Sequence, residues 1–198
     1  MNHPRVVQHW YDFLCPFCYV GQSRTDVLVR RGFQVVELPF QAHPDIPPGG
    51  VDVEPRRGEM YERLEQEARD AGLPLVWPAH LPDTRLALAA AEWTRLHAPA
   101  AAAGLNRSLF EAHFALGEDI GDIAVIDRHA TRQGVDIEAF YAALADGSAM
   151  AAVERAQAMG YEIGVHGTPA WLVAGRLVSG LRSIAYFEDL AGSVVEHA

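Results

Sequence analysis

Two hydrophobic segments near the N-terminus flank a stretch with helical periodicity. Arg5–Phe13 (RVVQHWYDF) is rich in β-branched and aromatic residues, which indicates a strand, and Phe33–Phe40 (FQVVELPF) has the same character. Over Pro16–Arg31 the apolar residues recur instead at helical spacing, and Gly32 follows as a C-terminal cap. The pattern therefore predicts a βαβ unit.

The C-terminal part of the chain predicts a hairpin followed by a helix. Ala170–Val173 and Leu177–Ser179 are short apolar segments on either side of an Ala-Gly-Arg turn, which is typical of a β-hairpin. Ser183 is a suitable N-cap for a closing helix that runs to about Glu196. Together with the βαβ unit, this pattern predicts a four-stranded sheet flanked by helices.

The middle of the chain has a helical pattern rich in alanine and acidic residues. A connector rich in proline and glycine opens it. Helices are predicted at Pro55–Ala71, Asp83–Ala103, Ser108–Leu116, Asp122–Gln133, Asp136–Leu144 and Ala149–Met159, and Pro99 is expected to break or kink the second of them. We therefore expect an α/β chain in which residues 43–160 form an all-helical insertion between an N-terminal part, residues 1–42, and a C-terminal part, residues 161–198.

Composition and charge narrow the class of partner. The 198 residues are 49% hydrophobic and 21% charged, which is typical of a globular chain long enough to bury a core. The net charge of -10 repels phosphate and anionic lipid, so we expect neither nucleic acid nor a membrane as partner. Residues 1–5 lack the apolar stretch of a signal peptide, which favours a cytoplasmic location. A monomer and a homodimer are both compatible with this sequence.

The two cysteines of the chain, Cys15 and Cys18, are three residues apart in Cys-Pro-Phe-Cys. A structural disulfide is not expected in a reducing cytosol, and zinc needs more ligands than this pair provides, so no metal site is predicted. Two core thiols and a redox dithiol remain as alternatives. The start of a helix favours the dithiol, because its free N–H groups and its dipole stabilise a thiolate. Cys15 would then be the nucleophile and Cys18, one turn later, the resolving thiol.

Two motifs carry a resemblance to a known family. DFLCPFCYVG at Asp12–Gly21 and GVHGTPAW at Gly164–Trp171 resemble the DsbA-like oxidoreductases, most of all the cytosolic FrnE-like branch that is related to 2-hydroxychromene-2-carboxylate isomerases. The resemblance implies a thioredoxin fold, βαβ plus ββα around a central mixed sheet, interrupted by the helical insertion. It also implies a cis Thr168–Pro169 bond facing the dithiol, although sequence alone favours trans.

The residues around the dithiol complete the predicted site. We expect Pro16, Phe17, Thr168 and Pro169 to bind substrate, with Pro16 suited to the first helical turn because it lacks an N–H group. Pro-Phe between the cysteines supplies neither a charge nor an extra hydrogen-bond donor. We therefore expect a less oxidising couple than in the secretory DsbA enzymes.

Three functions are compatible with this site. The first is a thiol–disulfide oxidoreductase that acts on a disulfide-containing protein or a small thiol, with no tightly bound cofactor and with glutathione as candidate redox co-substrate. The second is a glutathione-dependent isomerase or transferase of a small organic molecule. The related isomerases commonly have serine at the position of Cys15 and lack the second cysteine, so the intact pair argues against this function. A non-catalytic thioredoxin-fold module is the third.

Some residues have two interpretations from sequence. His166 is either a proton shuttle for the sulfurs or a loop residue without a catalytic role. His9 shares a strand face with Val7, and the sequence does not say which side of the sheet this face covers. Five aromatic residues of the insertion either line a substrate pocket or belong to the core: Trp77, Trp93, Phe110, Phe114 and Tyr141.

Overall fold

Residues 5–196 are described by the structure, a computed structural model. In chain order the elements are β1 (Val6–Tyr11), α1 (Pro16–Arg30), β2 (Gln34–Pro39), β3 (Val51–Asp52), α2 (Glu59–Asp70), β4 (His80–Leu81), α3 (Arg85–His97), α4 (Pro99–Phe114), α5 (Ile123–Arg132), α6 (Ile137–Ala145), α7 (Ser148–Glu162), β5 (Ala170–Val173), β6 (Arg176–Ser179) and α8 (Ile184–Glu196). Residues 1–4, which bear on the predicted location, lie outside the described part of the chain.

The central sheet is mixed and has the strand order β2-β1-β5-β6. Strand β1 is parallel to β2 and antiparallel to β5, so that Val7 pairs with Val35 on one side and with Val173 on the other. The hairpin of β5 and β6 adds the antiparallel edge. The parallel pair is joined through α1, as a βαβ unit requires. The predicted four-stranded sheet, its βαβ unit and its hairpin are thus confirmed.

Successive side chains of β1 point to opposite faces of the sheet, and both faces are buried against helices. Val7 packs with Trp171 and Phe187 in a cluster formed with α1 and α8. Trp10 points to the other face, where it packs with Ala156 of α7 and its indole N–H donates to the Ala156 carbonyl at 3.0 Å. Helices cover both faces, which is why Val7 and Trp10, on opposite faces of β1, are both fully buried.

The chain has two separate helices on either side of Ala98, and not one helix kinked at Pro99. Helix α3 ends at His97, and Pro99 is the first residue of α4, a position where a backbone N–H group would have no partner within the helix. The backbone at Ala98, with φ −138° and ψ 60°, turns the chain between the two helices. The helix predicted at Ser108–Leu116 is therefore the second half of α4. Asp122 and Asp136 cap α5 and α6, each accepting a hydrogen bond from a backbone N–H of the first turn.

The insertion is not entirely helical, which corrects the prediction from sequence. Val51 pairs with Leu81, and Asp52 with His80, in a two-stranded antiparallel ribbon. The ribbon has only two residues in each strand, so no period of two is visible in the sequence. The backbone pairing of the ribbon, together with a hydrogen bond between His80 Nδ1 and Asp52 Oδ1 at 2.8 Å, joins the two ends of the segment that contains α2.

The inserted helices share a hydrophobic cluster with the dithiol end of the sheet. Cys18 and Tyr19 of α1 belong to the same cluster as Leu64 of α2, Leu88 of α3 and Phe110 of α4. The insertion is therefore packed directly against the start of α1. The boundaries at residues 42 and 160 remain a prediction. Within residues 5–196, no helix is long and apolar enough to cross a membrane.

Candidate active site

Cys15 is the N-cap residue of α1, and its sulfur sits where the first turn of the helix leaves N–H groups free. The Sγ atom accepts a hydrogen bond from the backbone N–H of Cys18 at 3.3 Å, and the thiol donates to the Thr168 carbonyl at 3.4 Å. Pro16 follows at the first helical position. Cys15 is 8% exposed, whereas Cys18 is fully buried. The two thiols are not joined by a disulfide in this structure.

The two sulfurs differ in acidity. Burial raises the pKa of Cys15, but hydrogen bonds from the Cys18 thiol, the Thr168 side chain and the Cys18 backbone N–H outweigh burial and lower the pKa below its ordinary value. Burial and the neighbouring Cys15 sulfur instead raise the pKa of Cys18 well above its ordinary value. A charge on this pair is therefore carried by Cys15, the less buried of the two cysteines.

Asp12 is a fully buried acidic residue that follows β1 and forms hydrogen bonds with the loop leading to Cys15. Oδ1 accepts from the Leu14 N–H at 3.1 Å and from the Thr84 hydroxyl at 3.0 Å, and Oδ2 accepts from the Ala42 N–H at 2.7 Å. Its backbone carbonyl accepts from the Cys15 N–H at 3.1 Å. Burial raises the pKa of Asp12 against these hydrogen bonds. Asp12 thereby fixes the Cys15 loop to the start of α3, whose N-cap is Thr84.

The Thr168–Pro169 peptide bond is cis, the geometry that the family resemblance implied. Thr168 is half-buried and lies against the Cys15 sulfur through its carbonyl. Pro169 is buried, and its carbonyl accepts from the Gly180 N–H at 2.8 Å, which ties the loop to the end of β6. The folded chain thus brings two segments together that are about 150 residues apart in sequence.

A cavity of about 440 Å³ opens beside Cys15. Both the sheet part and the insertion supply its apolar wall, which consists of Leu14, Pro16, Phe17, Ala42, Met60, Trp77, Pro78, Leu81 and Phe114. The polar side chains around it are His43, Arg56, Tyr61, His113 and Thr168. Trp77 is fixed by its indole N–H, which donates to Glu65 at 2.7 Å, and by an edge contact with Tyr61. The cavity is of the size that small-molecule sites have.

Four of the six residues that the sequence assigns to the site line this cavity: Cys15, Pro16, Phe17 and Thr168. Cys18 is fully buried in the hydrophobic core and does not line the cavity. Among the insertion's aromatic residues, Trp77 and Phe114 line the cavity, whereas Phe110 is core and Tyr141 is exposed, with its hydroxyl donating to Asp127. Trp93 stacks on His97 at 4.7 Å.

Asp12, Arg56 and His113 are among the side chains near the dithiol that the sequence did not single out for the site. Asp12 is part of the cysteine motif, and its burial follows only from the loops that meet there. Arg56 and His113 come from separate parts of the insertion, and no spacing in the sequence links either to Cys15. His113 is 1% exposed, and its Nε2 atom has no hydrogen-bond partner within the described part of the protein.

The two histidines left open by the sequence differ in position. His9 is buried on the α1 side of the sheet, stacked on Trp171 at 4.6 Å, with Nδ1 3.7 Å from a carboxylate oxygen of Glu37. His166 is exposed, and its ring lies 6.4 Å from Tyr161. Neither histidine lines the cavity beside Cys15. In residues 5–196, no group of three or more His, Cys, Asp or Glu side chains is placed to hold a metal ion.

A dithiol at the first helix of a βαβ unit, facing a cis-proline loop from a hairpin-and-helix unit, defines a thioredoxin-fold protein with a redox site. The chain matches the DSBA-like thioredoxin domain family over residues 6–191 and belongs to that family. This confirms the predicted family and fold.

Solved structures show the same fold. The probable DsbA oxidoreductase SCO1869 from Streptomyces coelicolor is 20% identical, with a TM-score of 0.80 over 98% of this chain and 91% of that one. A 2-hydroxychromene-2-carboxylate isomerase is 21% identical, with a TM-score of 0.80 over 97% of each chain. The cytosolic disulfide reductase DsbM from Pseudomonas aeruginosa, solved with GSH, is 18% identical, with a TM-score of 0.67 over 97% of this chain and 98% of that one.

Proposed function

We propose that Cys15 is the nucleophile and Cys18 the resolving thiol of a thiol–disulfide oxidoreductase of the DsbA-like family. The observation that carries the proposal is the asymmetry of the pair. Cys15 is accessible from the cavity and its pKa is lowered, whereas Cys18 is fully buried and its pKa is raised. The first sulfur is therefore the thiolate that a substrate meets, and the second stays protonated until the first has reacted.

The exchange has two steps. The Cys15 thiolate attacks one sulfur of a substrate disulfide, the substrate S–S bond breaks, and the released thiolate takes up a proton. Cys18 then loses its proton and attacks the Cys15 sulfur, which releases the second substrate thiol and leaves a Cys15–Cys18 disulfide. The substrate gains two electrons and two protons, which the dithiol loses. Run in reverse, the same steps oxidise a substrate dithiol.

The substrate is a disulfide or thiol bound along Pro16, Phe17, Thr168 and Pro169. Pro16, Phe17 and Thr168 border the cavity beside the Cys15 sulfur, which supports contact with the group that reacts. A protein disulfide and a small thiol both fit this proposal. For the oligomeric state, the prediction remains a monomer or a homodimer.

Glutathione is the redox co-substrate that we propose. The DsbM structure was solved with GSH, and that protein is a cytosolic disulfide reductase. We propose a cytoplasmic location on the same basis. In that compartment the glutathione pool would keep the dithiol reduced if its potential lies above that of the pool.

The test is a redox titration with matched serine variants. The protein is equilibrated in glutathione buffers, quenched with acid, alkylated and weighed by mass spectrometry. We expect one two-electron transition in the wild type. Cys18→Ser should accumulate a mixed disulfide on Cys15, and Cys15→Ser should reduce no disulfide substrate. A dithiol that never closes, or full activity in Cys15→Ser, would refute the assignment.

A glutathione-dependent isomerase or transferase is the second candidate, and the size of the cavity beside Cys15 favours it. Such chemistry needs bound glutathione but no resolving thiol. Turnover of a small organic substrate in Cys18→Ser, with saturable glutathione binding, would support this function over disulfide exchange.

A further inference from the structure

The wall of the cavity beside Cys15 differs in charge from the rest of the protein. The chain has 26 acidic and 16 basic residues and a net charge of -10. The residues that line the cavity include Arg56 but neither aspartate nor glutamate. Apart from the Cys15 sulfur, the permanent charge at this wall is therefore positive.

The guanidinium of Arg56 is held beside two aromatic side chains of the cavity wall. Arg56 is half-buried and lies between β3 and α2. Its Cζ atom is 5.9 Å from the centre of the Tyr61 ring, and that ring is in edge contact with Trp77 at 5.2 Å. Tyr61 and Trp77 line the same cavity as Arg56. The cation–π contact thus places the charge at the wall without using its N–H donors.

Arg56 lacks the acidic partner that other partly or fully buried arginines of this chain have. Arg24 forms an ion pair with Glu67, and Arg95 forms one with Glu92. Within residues 5–196, Arg56 takes part in neither an ion pair nor a hydrogen bond. Its planar set of N–H donors matches a carboxylate, which can accept two parallel hydrogen bonds from it. A bound molecule that carries a carboxylate would supply the missing partner.

We infer that Arg56 binds a carboxylate of a small disulfide or thiol in this cavity and thereby selects acidic substrates for Cys15. This inference rests on the proposed function of the dithiol and adds the class of small substrate. A carboxylate near the Cys15 thiolate is repelled by it, and the charge of Arg56 offsets that repulsion. Arg56 is a specificity-determining residue here, because the sulfur exchange itself needs only Cys15 and Cys18.

The experiment compares matched pairs of small disulfides. Reduced protein is mixed with symmetric disulfides of two, three and four carbons per chain, each ending either in a carboxylate or in the primary amide, which has a similar shape but no charge. The reaction consumes one disulfide and yields two thiols and the Cys15–Cys18 disulfide, so thiol release gives a second-order rate constant. The readout is the acid-to-amide ratio of rate constants at each chain length.

The variants are Arg56→Gln, which removes the charge, and Arg56→Lys, which keeps the charge but not the planar donor set. For at least one chain length, we expect Arg56→Gln to lower the acid-to-amide ratio about tenfold, the effect of one lost charge-assisted contact. Arg56→Lys should retain part of the ratio.

The matched control is Arg57→Gln, which removes the same charge one residue further along the chain. Arg57 is exposed and does not line the cavity. Because solvent and salt screen an exposed charge, the ratio in Arg57→Gln should stay within about twofold of wild type.

The outcomes separate the two proposals. If Arg56→Gln has the wild-type ratio at every chain length, or if Arg57→Gln lowers the ratio as much, the inference about Arg56 is wrong while the dithiol function stands. Reaction with oxidised glutathione but with none of the test disulfides would also count against the inference. If reduced wild-type protein reacts with none of them nor with oxidised glutathione, the proposed function itself fails. The ratio is measured within each variant, so a general loss of active protein cancels from it.

Discussion

His113 should make the stability of the folded protein depend on pH in a way that one substitution removes. The imidazole has its ordinary pKa near 6.5 in the unfolded chain and about 4 in the fold, because burial disfavours the charged ring. Protons therefore bind the unfolded state more tightly. The contribution to stability is complete above about pH 6.5, declines as the pH falls towards 4, and has no further pH dependence below that.

The magnitude follows from the two pKa values. A difference of about 2.5 units corresponds to roughly 3 kcal/mol over the whole interval, at about 1.4 kcal/mol per unit. Between about pH 7.5 and about pH 5 the linkage gives about 2 kcal/mol, because at the lower pH the unfolded imidazole is nearly all protonated and the folded one is nearly all neutral. His113 is 1% exposed, so solvent screening does not reduce this figure much.

The assay is urea unfolding at both pH values for wild type, His113→Phe and the control His97→Phe. Each variant's free energy of unfolding at about pH 5 is subtracted from that at about pH 7.5, which cancels the loss or gain of packing from the substitution itself. We expect this difference to be about 2 kcal/mol smaller in His113→Phe than in wild type and unchanged in His97→Phe. Equal differences in wild type and His113→Phe would mean that His113 titrates normally in the fold, and the argument from burial would be wrong.

The dithiol, the carboxylate beside it and the contact of α7 with the sheet give further tests. Hydrogen bonds lower the pKa of Cys15, while burial raises that of Cys18. Iodoacetamide should therefore label Cys15 alone in the native protein, and the midpoint of its labelling rate against pH should lie lower than in urea. Equal labelling of the two cysteines would refute this. Asp12→Asn should shift the labelling midpoint of Cys15 to still lower pH, because the charge of Asp12 raises the pKa of Cys15, and an unchanged midpoint would contradict this. The same substitution should lower the free energy of unfolding in urea by about 1–3 kcal/mol, since an amide N–H₂ would face a backbone N–H. Gly160→Ala should lower the free energy of unfolding by about 1–3 kcal/mol, because the added Cβ would lie 2.9 Å from Trp10 Nε1. The control Gly192→Ala in α8 has open space around its Cβ and should be neutral or stabilising. Equal effects of the two substitutions in urea unfolding would rule out the predicted clash.

The elements of the sheet could be predicted from sequence because each has a local signature. The apolar run of β1 and the helical spacing after Pro16 are decided by residues close together in the chain. The ribbon of β3 and β4 shows the opposite case. Its strands pair across about thirty residues and are too short for periodicity, so only the folded insertion brings Val51 and Leu81 together.

The same distinction applies to the site. The cysteines reveal themselves by spacing and by their place before a helix, whereas the acidity difference between them depends on burial and on Thr168, which is distant in sequence. The family resemblance supplied the link to Thr168 that spacing could not. Asp12 was visible as part of a motif, but two of its three side-chain hydrogen bonds come from Ala42 and Thr84, which approach it only in the fold.

The cavity explains why specificity is harder to predict than chemistry in this fold. The nucleophile lies at a helix N-terminus, which is a local feature, so a short motif can mark its position. The wall opposite the nucleophile consists of insertion residues such as Met60, Trp77 and His113, each placed by the packing of a different segment. Substitutions there can alter which disulfide or thiol fits without touching the hydrogen bonds that lower the pKa of Cys15. The motif thus marks the dithiol, whereas the side chains that the insertion contributes to the cavity wall become neighbours of Cys15 only in the folded chain.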